Sequence, residues 1–139
     1  MNDGNAWYAN GGVSGAAGLF STAGDLQLLV DMLKNKGMAG GRRFLSSKTI
    51  ETFLTPDAFK NGLGWIMDTS NPILKNAPKG SFGHTGFTGM SIAVVPAYGL
   101  SVILLINRQN TGLLPSGAYY NVTALRERVF GVAMKYGAN

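Results

Sequence analysis

Two apolar runs constrain this chain more than any other feature. Met90–Val95 and Leu100–Ile106 are separated by Pro96-Ala97-Tyr98-Gly99. That spacing predicts a β-hairpin with the proline and glycine in its turn. Ile92, Ala93, Val94 and Val95 follow one another without a polar position, as do Val102, Ile103, Leu104 and Leu105. A strand that is apolar on both sides is covered on both sides, so helices must supply at least one layer over this hairpin.

The helices are legible on either side of it. Thr22-Ala23-Gly24-Asp25 has the form of a capping box. Leu26, Leu29, Val30 and Leu33 follow at i, i+3, i+4 and i+7, and Gly37 supplies a stop, so a helix is expected from about Thr22 to Lys36. Ser46 or Ser47 can cap a second helix carrying Ile50, Phe53 and Leu54, with Pro56 beyond its end. Arg42-Arg43-Phe44-Leu45 reads as an extended link between the two, Gly62–Met67 as one short strand and Asp68–Gly80 as a loop. Ser81–Thr85 reads as a strand entering a glycine turn, and Asn107–Gly117 as a polar loop. A last helix is expected from about Asn121 to Tyr136, with Leu125, Val129, Val132, Ala133 and Tyr136 on one stripe. The fold class is α+β, an antiparallel sheet with packed helices. Residues 1–20 form a glycine-rich loop, 21–61 a helical segment, 62–107 the sheet and 118–137 the C-terminal helix.

Composition narrows the function classes. At 139 residues the chain fits one domain with a real core. No apolar run approaches the roughly 20 residues of a membrane-spanning helix. The absence of cysteine excludes disulfides, thiolate zinc sites and a cysteine nucleophile. The net charge is +5, but the densest basic group, Lys34, Lys36, Arg42 and Arg43, lies around the expected end of the first helix. Cations there favour the helix dipole. A nucleic-acid site needs a basic stripe with interleaved aromatics, which is missing, so no nucleic-acid partner is expected.

Gly83-His84-Thr85-Gly86-Phe87-Thr88-Gly89 opens onto the hairpin and holds the only histidine of the chain. Glycines let a backbone approach a ligand closely, and the loop frees N–H groups that a ladder would use. The plainer alternative is a hairpin with glycines for twist and a histidine that bonds a nearby loop. Histidine as a residue type suits proton transfer near neutral pH. Nucleophilic serine chemistry needs a serine, a base and an oxyanion site, and Ser-x-x-Lys on a helix supplies the first two one turn apart. None of the nine serines has a lysine three residues on, and Gly-x-Ser-x-Gly is absent. There is no second histidine for a metal pair and no phosphate-loop or dinucleotide fingerprint.

Several stretches, in order, resemble the serine β-lactamase-like family, which groups class C β-lactamases, D-alanyl-D-alanine carboxypeptidases and related esterases. Gly11–Leu26 is similar to the segment that opens a helix in that family. Leu63-Gly64-Trp65 resembles its Gly-Trp strand, and Gly83–Gly89 its third active-site motif, Lys-Thr-Gly or His-Thr-Gly, on an edge strand of the sheet. Val95-Pro96, Gly99 and the run ending in Asn107-Arg108 match the strands that follow.

The resemblance implies a partial β-lactamase/transpeptidase-like fold, the C-terminal portion only, with Met1 read as a start placed before a piece of a longer chain. The Ser-x-x-Lys and Tyr-x-Asn motifs would lie upstream. Tyr8-Ala9-Asn10 matches the latter by letters, but it sits against the helix-opening segment and is set aside. Ala16 stands where these proteins often carry histidine. His84 would stand beside the nucleophile, helping proton traffic or binding a substrate carboxylate. Thr85 would hydrogen-bond the substrate, and Gly86 would let the acyl group lie close to the strand. The backbone N–H of Phe87 would be one oxyanion donor, contributing on the order of 3 kcal/mol to the barrier. Asn107 would lie at the pocket rim. The implied reaction is acyl transfer to serine and then hydrolysis, on a β-lactam, a peptide ending in D-alanine or an ester, with no cofactor and no metal. The resemblance suggests a periplasmic or secreted protein. By itself the chain is expected to be inactive and to self-associate through exposed sheet edges. The alternative is a non-catalytic module of the same fold that holds a peptide beside His84-Thr85-Gly86.

Overall fold

The computed structural model describes residues 8, 11–13, 15 and 17–137. Of the Tyr8-Ala9-Asn10 and Ala16 readings, only Tyr8 falls among these, and it is exposed. Helix α1 spans Ala23–Lys34, and Thr22 caps it by accepting from the Asp25 N–H. Strands β1 (Met38–Ala39) and β2 (Arg42–Arg43) pair across Gly40-Gly41, both at positive φ. The expected extended link is therefore a small hairpin closed by two glycines. Arg43 donates to the carbonyls of Lys36 and Leu45, so this basic group ties its own loop together. Helix α2 spans Ser47–Phe53 with Ser46 as its cap.

The main sheet has five antiparallel strands in sequential order: β3 (Asn61–Gly62), β4 (Trp65–Ile66), β5 (Phe82–Thr85), β6 (Ser91–Val95) and β7 (Leu100–Leu104). The segment expected as one strand, Gly62–Met67, is divided by a two-residue turn at Leu63-Gly64. Helix α3 spans Thr123–Gly137.

Pairing fixes which residues share a face. Phe82 lies opposite Val94 and His84 opposite Ile92, while Gly83 lies opposite Ala93 and Thr85 opposite Ser91. Val30 and Leu33 of α1 and Ile50 of α2 pack with Phe82 and Val94 on the first face. Trp65 meets Phe82 there edge to face, with ring centroids 5.1 Å apart. Phe130 of α3 packs on the opposite face with Ala93, Val95 and the loop residues Ile73, Leu74 and Ala77. Helices thus cover both sides of the β6 strand, as its two-sided apolar pattern requires.

Helix α3 is rotated from its expected face, and α1 departs from its own only at Leu29. Val30 and Leu33 are buried, but Leu29 stays 40% exposed. On α3 the inward residues are Arg126, Phe130 and Met134, in line with Val122 just before the helix, whereas Leu125, Val132 and Tyr136 of the expected stripe are exposed. Arg126 explains the misreading. A polar residue in the middle of the inward row made that row look less apolar than its neighbour.

Candidate functional site

Strand β5 was expected at a sheet edge, and the structure corrects this. It is the middle strand of five, joined to β4 through the single pair Ile66–Gly83 and to β6 through four pairs. The β4 pairing stops before His84, so the last two residues of β5 are laddered to β6 alone. Successive strand residues point to opposite faces. The His84 side chain therefore lies on the α1–α2 side, beyond the cover of those helices, and is exposed. Thr85 lies on the α3 side and is half-buried. His84 Nδ1 is 2.9 Å from the Thr85 carbonyl. A carbonyl only accepts, so Nδ1 carries the proton of this bond, and Nε2 is the acceptor in the neutral ring.

The turn after Thr85 is tightly specified. Gly86 N–H donates to the Met90 carbonyl at 2.8 Å, and Gly89 N–H donates to the Gly86 carbonyl at 3.1 Å. Gly89 has φ +119°, and a Cβ there would lie 2.9 Å from Ile106 Cγ1. This glycine is demanded by the fold. Gly86 is different: its φ is not positive, and the nearest atoms a Cβ would meet are those of Met90, its side chain at 3.5 Å and its carbonyl at 3.9 Å. Among the described residues no contact of this Cβ is closer than an ordinary van der Waals distance.

Phe87 occupies the corner of the turn, a position whose N–H is not used by the turn's own closing bond. Its N–H makes no hydrogen bond among the described residues. The residue is 65% exposed, and its ring is bracketed by Arg108, whose guanidinium sits 4.7 Å from the ring centroid, and by Tyr119 at 5.7 Å, edge to face. The Arg108 N–H donates to the Thr88 carbonyl at 2.8 Å and so joins the segment after β7 to the turn. Asn107 is thereby brought next to the turn, and its Oδ1 caps the following 3₁₀ turn by accepting from the Gln109 N–H.

The residue that sequence reasoning missed is Arg126. From α3 its Nε donates to the Gly89 carbonyl at 3.1 Å, and its Nη2 donates to the carbonyls of Gly86 at 2.8 Å and Met90 at 3.0 Å. Burial, and then the nearby Arg108 guanidinium, hold its pKa below the ordinary arginine value. The available signal was a charged residue four positions from Val122 and four from Phe130, in register with an apolar row. Arg108 and Tyr119 were missed as partners of Phe87 because their meeting depends on how the 105–120 segment folds back. A shallow depression lined by Ala124, Arg128, Val132 and Lys135 lies on another side of α3 and shares no residue with this end of the sheet.

Comparison with known proteins agrees with the architecture. Over 91% of its length the chain is 33% identical to an N-acetylmuramyl-L-alanine amidase of Bacillus subtilis (strain 168). Over 86% it is 31% identical to a putative D-alanyl-D-alanine carboxypeptidase of Salmonella gallinarum (strain 287/91 / NCTC 13346). Over 94% it is 30% identical to a protein of the same description from Salmonella schwarzengrund (strain CVM19633). The alignments take in 34%, 32% and 34% of these relatives, so the chain spans about a third of the curated relatives it matches. The Beta-lactamase family model matches residues 1–126. With that match, and an α+β sheet covered by helices on both faces, the chain belongs to the Beta-lactamase family.

Proposed function

We propose that the chain supplies the substrate-binding strand and one oxyanion donor to an acyl-transferring serine hydrolase, and that the nucleophilic serine lies in sequence outside these 139 residues. The observation that carries this reading is the Phe87 N–H. Like the Thr88 N–H, it makes no hydrogen bond among the described residues, at the corner of a turn whose Gly86 and Gly89 N–H groups and Gly86, Thr88, Gly89 and Met90 carbonyls are bonded. A preorganised donor of this kind stabilises charge that develops on a carbonyl oxygen without reorganising as the reaction proceeds. Gly86, where a Cβ would make only ordinary contacts among the described residues, leaves room along the strand for an acyl group. Thr85 can hydrogen-bond that group. His84, exposed and with Nε2 free to accept, can take or return a proton or face a substrate carboxylate. Asn107 lies at the rim. The relatives' names, amidase and carboxypeptidase, denote cleavage of amide bonds, a reaction whose tetrahedral intermediate carries such an oxyanion. The substrate classes that fit are a β-lactam, a peptide ending in D-alanine or an ester.

The absence of any serine with a lysine three residues on supports placing the nucleophile elsewhere. Intact-mass spectrometry of the 139-residue chain after exposure to a fluorophosphonate or a β-lactam tests this. No stoichiometric adduct is expected, and a stoichiometric adduct would overturn the reading.

A further inference from the structure

We infer that Arg126 is a positioning residue for the oxyanion turn: its guanidinium fixes the plane of the Gly86–Phe87 peptide and thereby the aim of the Phe87 N–H. The inference rests on the proposed role of that N–H. The Gly86 carbonyl and the Phe87 N–H belong to one peptide unit. In a planar trans peptide they point in opposite directions, and the chain contains no cis bond among the described residues. Arg126 Nη2 holds the carbonyl end at 2.8 Å, from the α3 side. The N–H end is therefore turned away from α3. A flip of this peptide would break that bond and also the bond from the Gly89 N–H to the same oxygen. The same guanidinium grips the carbonyls of Gly89 and Met90, so both ends of the turn are referred to one rigid, planar group. A cation on the carbonyl oxygen also polarises the peptide and makes its N–H a stronger donor.

The placement of Arg126 is not explained by helix stability. It sits in the first turn of α3, where the dipole disfavours a cation, and close to a second arginine, Arg108. Among the described residues no carboxylate pairs with it, and Glu127 beside it pairs with Lys75 instead. Among the described residues its three side-chain hydrogen-bond partners are all carbonyls of the turn. Lysine offers one point charge and cannot reproduce this planar fork.

The test compares the wild-type chain with Arg126→Lys and Arg126→Met by NMR, with far-UV circular dichroism to verify that α3 is retained. The readouts are the carbonyl carbon shift of Gly86, the amide nitrogen shift of Phe87, and hydrogen exchange at Gly86 and Gly89. Expected are shifts at both atoms of the Gly86–Phe87 peptide and exchange faster on the order of tenfold at Gly86 and Gly89, with Val94 and Val102 unchanged. In Arg126→Met, added methylguanidinium should restore the shifts. Turn shifts and exchange within twofold of wild type in a folded variant overturn the inference. Exchange rising equally throughout the sheet also overturns it, because Arg126 would then hold the fold and not the turn. None of these readouts depends on activity. If the turn responds but a nucleophile-containing form of the protein keeps its turnover in Arg126→Met, the positioning stands and the oxyanion role of Phe87 fails.

Discussion

Gly86 and Gly89 stand three residues apart in one turn and answer to different demands. Gly89 is held at φ +119° against Ile106, so Gly89→Ala combines backbone strain with a clash and should cost roughly 1–3 kcal/mol in urea unfolding. Gly86→Ala meets only an ordinary contact and should stay within about 1 kcal/mol of wild type while impairing any function that uses the strand. Equal destabilisation by both would remove the argument that Gly86 is kept for a ligand. His84→Ala should likewise leave stability within about 0.5 kcal/mol, because the ring is exposed and its bond is to an adjacent carbonyl. In a form of the protein that contains the nucleophile, the same substitution should lower turnover strongly, and unchanged turnover would take His84 out of the mechanism. Asp68 is a separate matter. Hydrogen bonds from the Ser70 backbone and then its side chain, with Lys60 adding to them, hold its carboxyl below the usual range. A depressed pKa contributes stability above the ordinary aspartate value that is lost as pH falls through the lower folded value. Asp68→Asn should therefore soften the acid-side decline, measured as urea midpoints between neutral and strongly acidic pH, and an unaltered decline would count against it.

Among the elements, α3 carries the sharpest contrast between pattern and outcome. Its inward row is Arg126, Phe130 and Met134, continuing the line of Val122, and its expected stripe lies half outside. Phe130→Ala should cost about 3–5 kcal/mol by opening a cavity against Ala93 and Val95, whereas Val132→Ala should change stability by less than about 1 kcal/mol. Chemical denaturation of both variants decides which row is the core face, and the reverse order would restore the original stripe. Helix α1 was easier to read because its cap and its stop are local. Thr22 accepts from Asp25 as its spacing announces, while the exposure of Leu29 depends on what α1 packs against. The β3–β4 hairpin was missed for a related reason. Asn61–Ile66 is long enough for one strand, and only the Gly62–Trp65 pairing shows that it folds back on itself.

At the scale of the whole molecule, β7 ends the sheet among the described residues. Among the described residues no strand pairs with its outer edge, and all of its residues are only half-buried although most are apolar. An unprotected apolar edge is a template for another strand. Concentration-dependent association is therefore expected in light scattering, and a strictly monomeric species at high concentration would argue against pairing through this edge.

By itself the sequence determined the fold class, the hairpin with two covered faces, and the caps of α1 and α2. These signals are local: a cap, a turn or an alternation is written within a few residues of where it acts. Only the tertiary structure decided that β5 lies in the middle of the sheet, that His84 and Thr85 face opposite sides, and that Arg108, Tyr119 and Arg126 converge on one turn. Arg126 lies 36–40 residues from the carbonyls it grips. No local pattern encodes that meeting, because it follows from how α3 docks across the sheet. The docking is set by Phe130 and its neighbours, and the arginine is carried to the turn by the same burial.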